Sequence, residues 1–68
     1  MKISARNAFD GVVTEVKKGT TTAHVTIDVK GLIVTASITN ESVEDLGLVP
    51  GAKVKAIVKS SDVIVAVD

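Results

Sequence analysis

Thr21-Thr22-Ala23-His24-Val25-Thr26-Ile27-Asp28-Val29-Lys30, then Gly31, then Ile33-Val34-Thr35-Ala36-Ser37-Ile38-Thr39, is the stretch that decides the fold. In its first half Ala23, Val25, Ile27 and Val29 alternate with Thr22, His24, Thr26 and Asp28. A period of two with one apolar face predicts a half-buried strand. Lys30-Gly31 reads as a tight turn, after which Val34, Ala36 and Ile38 face one way and Thr35, Ser37 and Thr39 the other. The two halves predict a β-hairpin.

Working outward, Ala8 to Lys17 reads as a preceding strand, with Gly11 a bulge or bend, and Lys18-Gly19 as its turn into the hairpin. Asn40-Glu41-Ser42-Val43-Glu44-Asp45-Leu46-Gly47 puts capping and acidic residues first, then apolar ones, then glycine. That order predicts a helix of one or two turns, closed by Gly47. Pro50-Gly51 marks a turn, and Ala52 to Lys59 alternates again with Ala52, Val54, Ala56 and Val58 inward. Ser61-Asp62 breaks the chain before a last strand, Val63 to Val67. The expected fold is all-β: a single domain over residues 1–68, a small five-stranded OB-like barrel with one short helix between strands 3 and 4.

Val63, Ile64, Val65, Ala66 and Val67 are apolar on both faces, and Ile33 and Ile57 interrupt otherwise polar faces. A small barrel has only one inside, so the surplus predicts subunit contact. Size points the same way. Below about 70–80 residues a lone core rarely supplies more than ~3–5 kcal/mol without a disulfide, a metal or a partner. With 68 residues, no cysteine and His24 as the only histidine, the chain has oligomerisation left among these.

Composition narrows function. Thirteen valines suit pleated structure, and Phe9 is the only aromatic residue. Eight basic and eight acidic residues balance to a net charge of zero, which speaks against nucleic acid as a partner. No apolar run approaches the about 18 residues of a membrane span. Met1-Lys2-Ile3-Ser4-Ala5-Arg6 has no hydrophobic stretch behind its charges, so a signal peptide is not expected and a cytoplasmic location is. No catalytic constellation is apparent: His24 lies mid-strand with nothing to fix a triad, and Glu44-Asp45 suits the start of a helix. The expectation is a protein that is not an enzyme and carries no directly coordinated metal or cofactor.

Hydroxyls say more. There are five serines and seven threonines, and small polar groups sit where strands end. Ser4-Ala5-Arg6-Asn7 precedes the first strand and Lys59-Ser60-Ser61 follows the fourth. Each joins a fixed positive charge to a hydroxyl and loop amides. Thr39 and Ser42 lie at the start of the helix, where free amides favour an anion. All of these groups donate and none brings a carboxylate. Such a set suits a fully deprotonated tetrahedral dianion, whereas phosphate near neutral pH keeps a proton that wants an acceptor. A second reading stands beside this one: Thr39, Asn40 or Ser42 is a helix cap with no ligand, and Lys59 and Arg6 are solvated edge charges.

Three separated motifs carry a resemblance. Met1-Lys2-Ile3-Ser4-Ala5-Arg6-Asn7 with Gly11, Val13 and Lys18-Gly19 resembles the opening of the molbindins, stand-alone versions of the Mop domain. Ser37-Ile38-Thr39 with Ser42-Val43 and Leu46-Gly47 resembles the middle of that family, and Val58-Lys59-Ser60-Ser61-Asp62-Val63 its close. The likeness covers the whole chain. It implies an OB-like fold, assembly as a homohexamer built as a trimer of dimers, and molybdate (often also tungstate) bound between subunits for molybdenum storage and homeostasis. Carried over position by position, it implies a dimer-interface site split between two chains. Lys59 would supply charge, Ser4, Ser60, Thr39 and Ser42 hydroxyl or amide donors, and Arg6 a loop contact or its amide. The resemblance also implies sites on the threefold axis. Two departures stand out. Relatives carry a glycine-rich turn where this chain has only Lys30-Gly31, and a glutamine where it has Ala8.

An OB-type nucleic-acid module and a purely structural oligomerisation domain are the competing readings. The first wants aromatic platforms beside a basic groove, and neither is expected here. The chain by itself leaves no room for the ATPase or DNA-binding domains that Mop domains accompany elsewhere.

Overall fold

The alternation in the deciding stretch becomes β2 (Thr22–Val29) and β3 (Leu32–Thr39) in the computed structural model, which describes residues 1–68. They pair antiparallel from Thr22↔Thr39 to Val29↔Leu32. The two residues between them both take positive φ, 52° at Lys30 and 92° at Gly31. Such a turn follows the right-handed twist of the strands, at some cost at Lys30. Asp28 offsets part of that cost, its Oδ1 accepting the Gly31 N–H at 2.7 Å.

β1 (Asn7–Lys18) is the long member of the sheet. Its second half pairs with β2 from Val12↔Asp28 to Lys18↔Ala23. Its first half pairs with β4 (Lys53–Val58) from Asn7↔Val58 to Val12↔Lys53. The sheet order is therefore β3-β2-β1-β4, antiparallel throughout. The ladder irregularity falls between Val13 and Glu15, not at Gly11. There the Pro50-Gly51 turn docks: Gly51 N–H donates to the Val13 carbonyl at 2.7 Å and Val13 N–H to the Ala52 carbonyl at 2.9 Å.

Gly11 answers to a different constraint. A Cβ there would meet Ile27 Cγ2 at 2.6 Å and the Asp28 carbonyl oxygen at 3.0 Å, so β1 crosses β2 where only a hydrogen fits. Gly11→Ala is expected to cost about 1–3 kcal/mol by overpacking. Urea denaturation measures it, and an unchanged midpoint would mean that Ile27 gives way freely.

α1 (Asn40–Leu46) follows β3 directly. Thr39 caps it, and Gly47 ends it at φ 63°, donating to the Glu44 carbonyl. It brings one buried side chain, Val43, to a core completed by Val13, Ala23, Val25, Ile27 and Ala56. These are the only six buried residues of 68.

The fifth expected strand is absent from the chain by itself, and the sheet is open rather than closed into a barrel. After β4 a 3-10 turn at Ser60–Asp62 leads into residues 63–68, which pair with nothing. A strand needs a ladder partner as well as apolar side chains, and β3 and β4 both end the sheet as free edges. Between them lies a trough walled by Val34, Ala36 and Ile38 on one side and Val54, Ala56 and Val58 on the other. A compact folded chain of this mass exposes about 4,000 Å²; this one, of 7.0 kDa, exposes 5399 Å².

Candidate functional site

The last rung between β1 and β4 is Asn7↔Val58. The segments leaving it, back through Arg6 and onward through Lys59, therefore start side by side. They enclose an open cleft in which Ser4, Lys59, Ser60 and Ser61 sit between the apolar Ile3 and Ile57. Ser4 and the pair Lys59 and Ser60, two separate groups in the sequence that only the resemblance assigns to one site, line the same cleft. Ser61 joins them, a hydroxyl that the sequence places in the group of Lys59 and Ser60 without marking it as a site residue. Arg6 is exposed at the start of β1 and does not line the cleft.

No carboxylate lines the cleft. Two of the chain's acids are in ion pairs, Asp10 with Lys55 at 2.6 Å and Glu44 with Lys18, and Lys59 is in none. The Lys55 hydrogen bond and charge hold the Asp10 carboxyl below its usual pKa, and Lys18 does the same for Glu44. Whatever these pairs add to stability is present above the ordinary carboxylate range and lost as pH falls through the lowered values. Both carboxylates are in water, so that contribution is small.

Thr39 and Ser42 form a second group. Thr39 Oγ1 accepts the Ser42 N–H at 3.0 Å and donates its own proton to Ser42 Oγ at 2.8 Å. This is a helix cap, and it leaves the Ser42 hydroxyl proton free to donate outward. Thr39 sits opposite Thr22, beside the rung Lys18↔Ala23. The two groups therefore lie at the two ends of β1, and one chain does not bring them together.

His24 is exposed mid-strand, flanked across the ladders by Lys17 and Ser37, with no acid or nucleophile arranged around it. No group of three or more His, Cys, Asp or Glu side chains is arranged to hold a metal ion. No helix is long and apolar enough to cross a membrane.

The chain is a small mostly-β domain, one antiparallel sheet with one short capped helix, with hydroxyl and ammonium groups gathered where its strands end. The TOBE domain profile matches residues 3–65. The chain is 46% identical over 66 residues to molybdenum-pterin-binding protein 3 of Clostridium pasteurianum, covering 96% of this chain and 97% of that one. Its fold superimposes on a molybdate-binding protein from Sporomusa ovata with a TM-score of 0.93 and 48% identity, over 97% and 98% of the two chains. It also matches the cytoplasmic molybdate-binding protein ModG with molybdate bound, with a TM-score of 0.90 and 40% identity. In that case it covers 94% of this chain and 46% of the other. The chain belongs to the TOBE family, as a molbindin, or Mop-type, domain.

Proposed function

We propose that this protein binds molybdate without catalysing a reaction, holding the ion by hydrogen bonds between subunits of a homo-oligomer. The observation that carries the reading is the cleft of Ser4, Lys59 and Ser60, all donors, with a free ammonium and no carboxylate. Oxyanions that carry no proton, such as molybdate, tungstate and sulfate, accept from every side, and charge-assisted N–H and O–H donors are the groups that reward them. The relatives named for molybdate and molybdenum-pterin binding support molybdate among these.

Thr39 and Ser42 enter from the partner. A site at one end of β1 and a complementary one at the other meet twice when two copies pack about a twofold axis, giving two equivalent sites per dimer. Arg6, outside the cleft, holds the opening loop or lends its backbone amide. The tail 63–67 of one copy fills the trough of the other and serves as the fifth strand that closes each barrel. Apolar residues left on the surface, among them Leu32 at 66% and Leu46 at 69% exposure, supply the contacts by which three dimers build a hexamer. Tungstate, close to molybdate in size and charge, is taken as a second ligand, and the role is cytoplasmic storage and homeostasis of the ion.

An OB-type nucleic-acid role is disfavoured by Phe9, which at 43% exposure is the one aromatic available for stacking, and by a net charge of zero. Isothermal titration of the oxyanion-free protein with molybdate, sulfate and phosphate tests the proposal. Saturable molybdate binding that neither control reproduces is expected. Absence of saturation with every oxyanion would leave a structural oligomer.

A further inference from the structure

Asn40 opens α1, directly after Thr39 and two residues before Ser42. Its backbone N–H donates to the Thr21 carbonyl at 2.9 Å and its side-chain Nδ2 to the Gly19 carbonyl at 3.0 Å. Both acceptors belong to the turn between β1 and β2. The other end of the amide, Oδ1, is buried and has no hydrogen-bond partner. Exchanging the two ends of the amide offers no relief, because an oxygen would then face the Gly19 carbonyl.

Helix capping does not account for this residue. A buried acceptor left unmet is unfavourable, and asparagine is a poor helix former inside the first turn. The cap is already supplied by Thr39. What Asn40 does achieve is orientation. α1 has seven residues and one buried side chain, Val43, so little else fixes its rotation against the sheet. The Asn40 amide ties its first turn to one side of the β1–β2 turn, and the Lys18–Glu44 pair ties its second. The first turn sets the position of the Ser42 hydroxyl, whose oxygen accepts the Thr39 proton and whose own proton has no acceptor within the cap.

We infer that Asn40 is a positioning residue for the Thr39–Ser42 half-site, aiming the Ser42 donor at the bound oxyanion. The inference rests on the molybdate reading above and deepens it.

Titration calorimetry of the full oligomer with sodium molybdate and sodium sulfate, on wild type, Thr39→Ala, Asn40→Ala and Asn40→Asp, tests it. Loss of a correctly aimed hydrogen bond should raise the molybdate Kd of Asn40→Ala about five- to tenfold. The number of ions per chain should stay at the wild-type value, and the preference for molybdate over sulfate should narrow. A residue that merely supports folding would lower the number of competent sites and leave Kd and preference alone, which would overturn the inference. Asn40→Asp keeps the shape but lacks the amide donor, so wild-type affinity in that variant would also overturn it. If wild type binds and Thr39→Ala weakens it while Asn40→Ala matches wild type, the half-site stands and the positioning role does not. If wild type itself takes no molybdate, the functional reading has failed and this one goes with it.

Discussion

Ending the chain after Asp62 is expected to abolish the oligomer and lower the melting temperature by about 10–20 °C, as a loss of a few kcal/mol does in a domain of this size. The segment removed holds Val63, Ile64, Val65 and Val67, exposed at 52%, 91%, 86% and 92% in the single chain. Fully burying such side chains is worth about 1.5–3 kcal/mol each, against roughly 1–2 kcal/mol per residue for ordering the backbone. Ladder hydrogen bonds along the free edges then tip the balance by a few kcal/mol in favour of insertion. The trough between β3 and β4, lined by fourteen residues of which twelve are hydrophobic, matches the tail in chemistry. Sedimentation and thermal melts over a range of protein concentration read the result. Exchange of tails between copies makes the melting temperature of the intact chain rise with concentration. A tail folded back on its own sheet would give a concentration-independent melt, and a truncated chain that stays oligomeric would rule out the tail as the joint.

The tail also shows how far the sequence reaches. Val63 to Val67 is apolar on both faces, which reports that the segment is to be buried but not by which chain. Where the deciding forces are local, the reading holds closely. The hairpin over Thr21–Thr39 is realised as β2 and β3 with its turn at Lys30-Gly31, and the helix expected over Asn40–Gly47 spans Asn40–Leu46 with Gly47 as its cap. Gly11 is the instructive miss. A glycine inside a strand pattern signals either a bulge or a close approach of backbones, and only the position of Ile27 decides for the second. The site divides along the same line. The Thr39–Ser42 cap is written in four consecutive residues. The meeting of Ser4 with Lys59 and Ser60 depends on the register Asn7↔Val58, which joins residues 51 positions apart and leaves no local trace. Asn40 escapes for a related reason, since its partners Gly19 and Thr21 lie on another turn.

Lys59→Ala is expected to weaken molybdate binding by roughly ten- to hundredfold, the range for losing a hydrogen bond to a charged group. Folding should be nearly untouched, within about 0.5 kcal/mol, because the side chain is exposed and makes no ion pair. That separation makes the variant decisive. Lys18 and Lys55 are already engaged by Glu44 and Asp10, and neither lines the cleft. Lys55→Ala should therefore bind molybdate as wild type does, even though it removes the same formal charge. A general attraction between an anion and a lysine-bearing surface predicts equal, small losses for both variants. A site built on Lys59 predicts a large loss for one alone. Ionic strength adds a second axis: screening should weaken wild-type binding, and the dependence should shrink once the site's one fixed charge is gone. Equal Kd values for Lys59→Ala and wild type would remove the ammonium from the site and, with it, the argument that the free charge beside Ser4 and Ser60 is there to hold an anion.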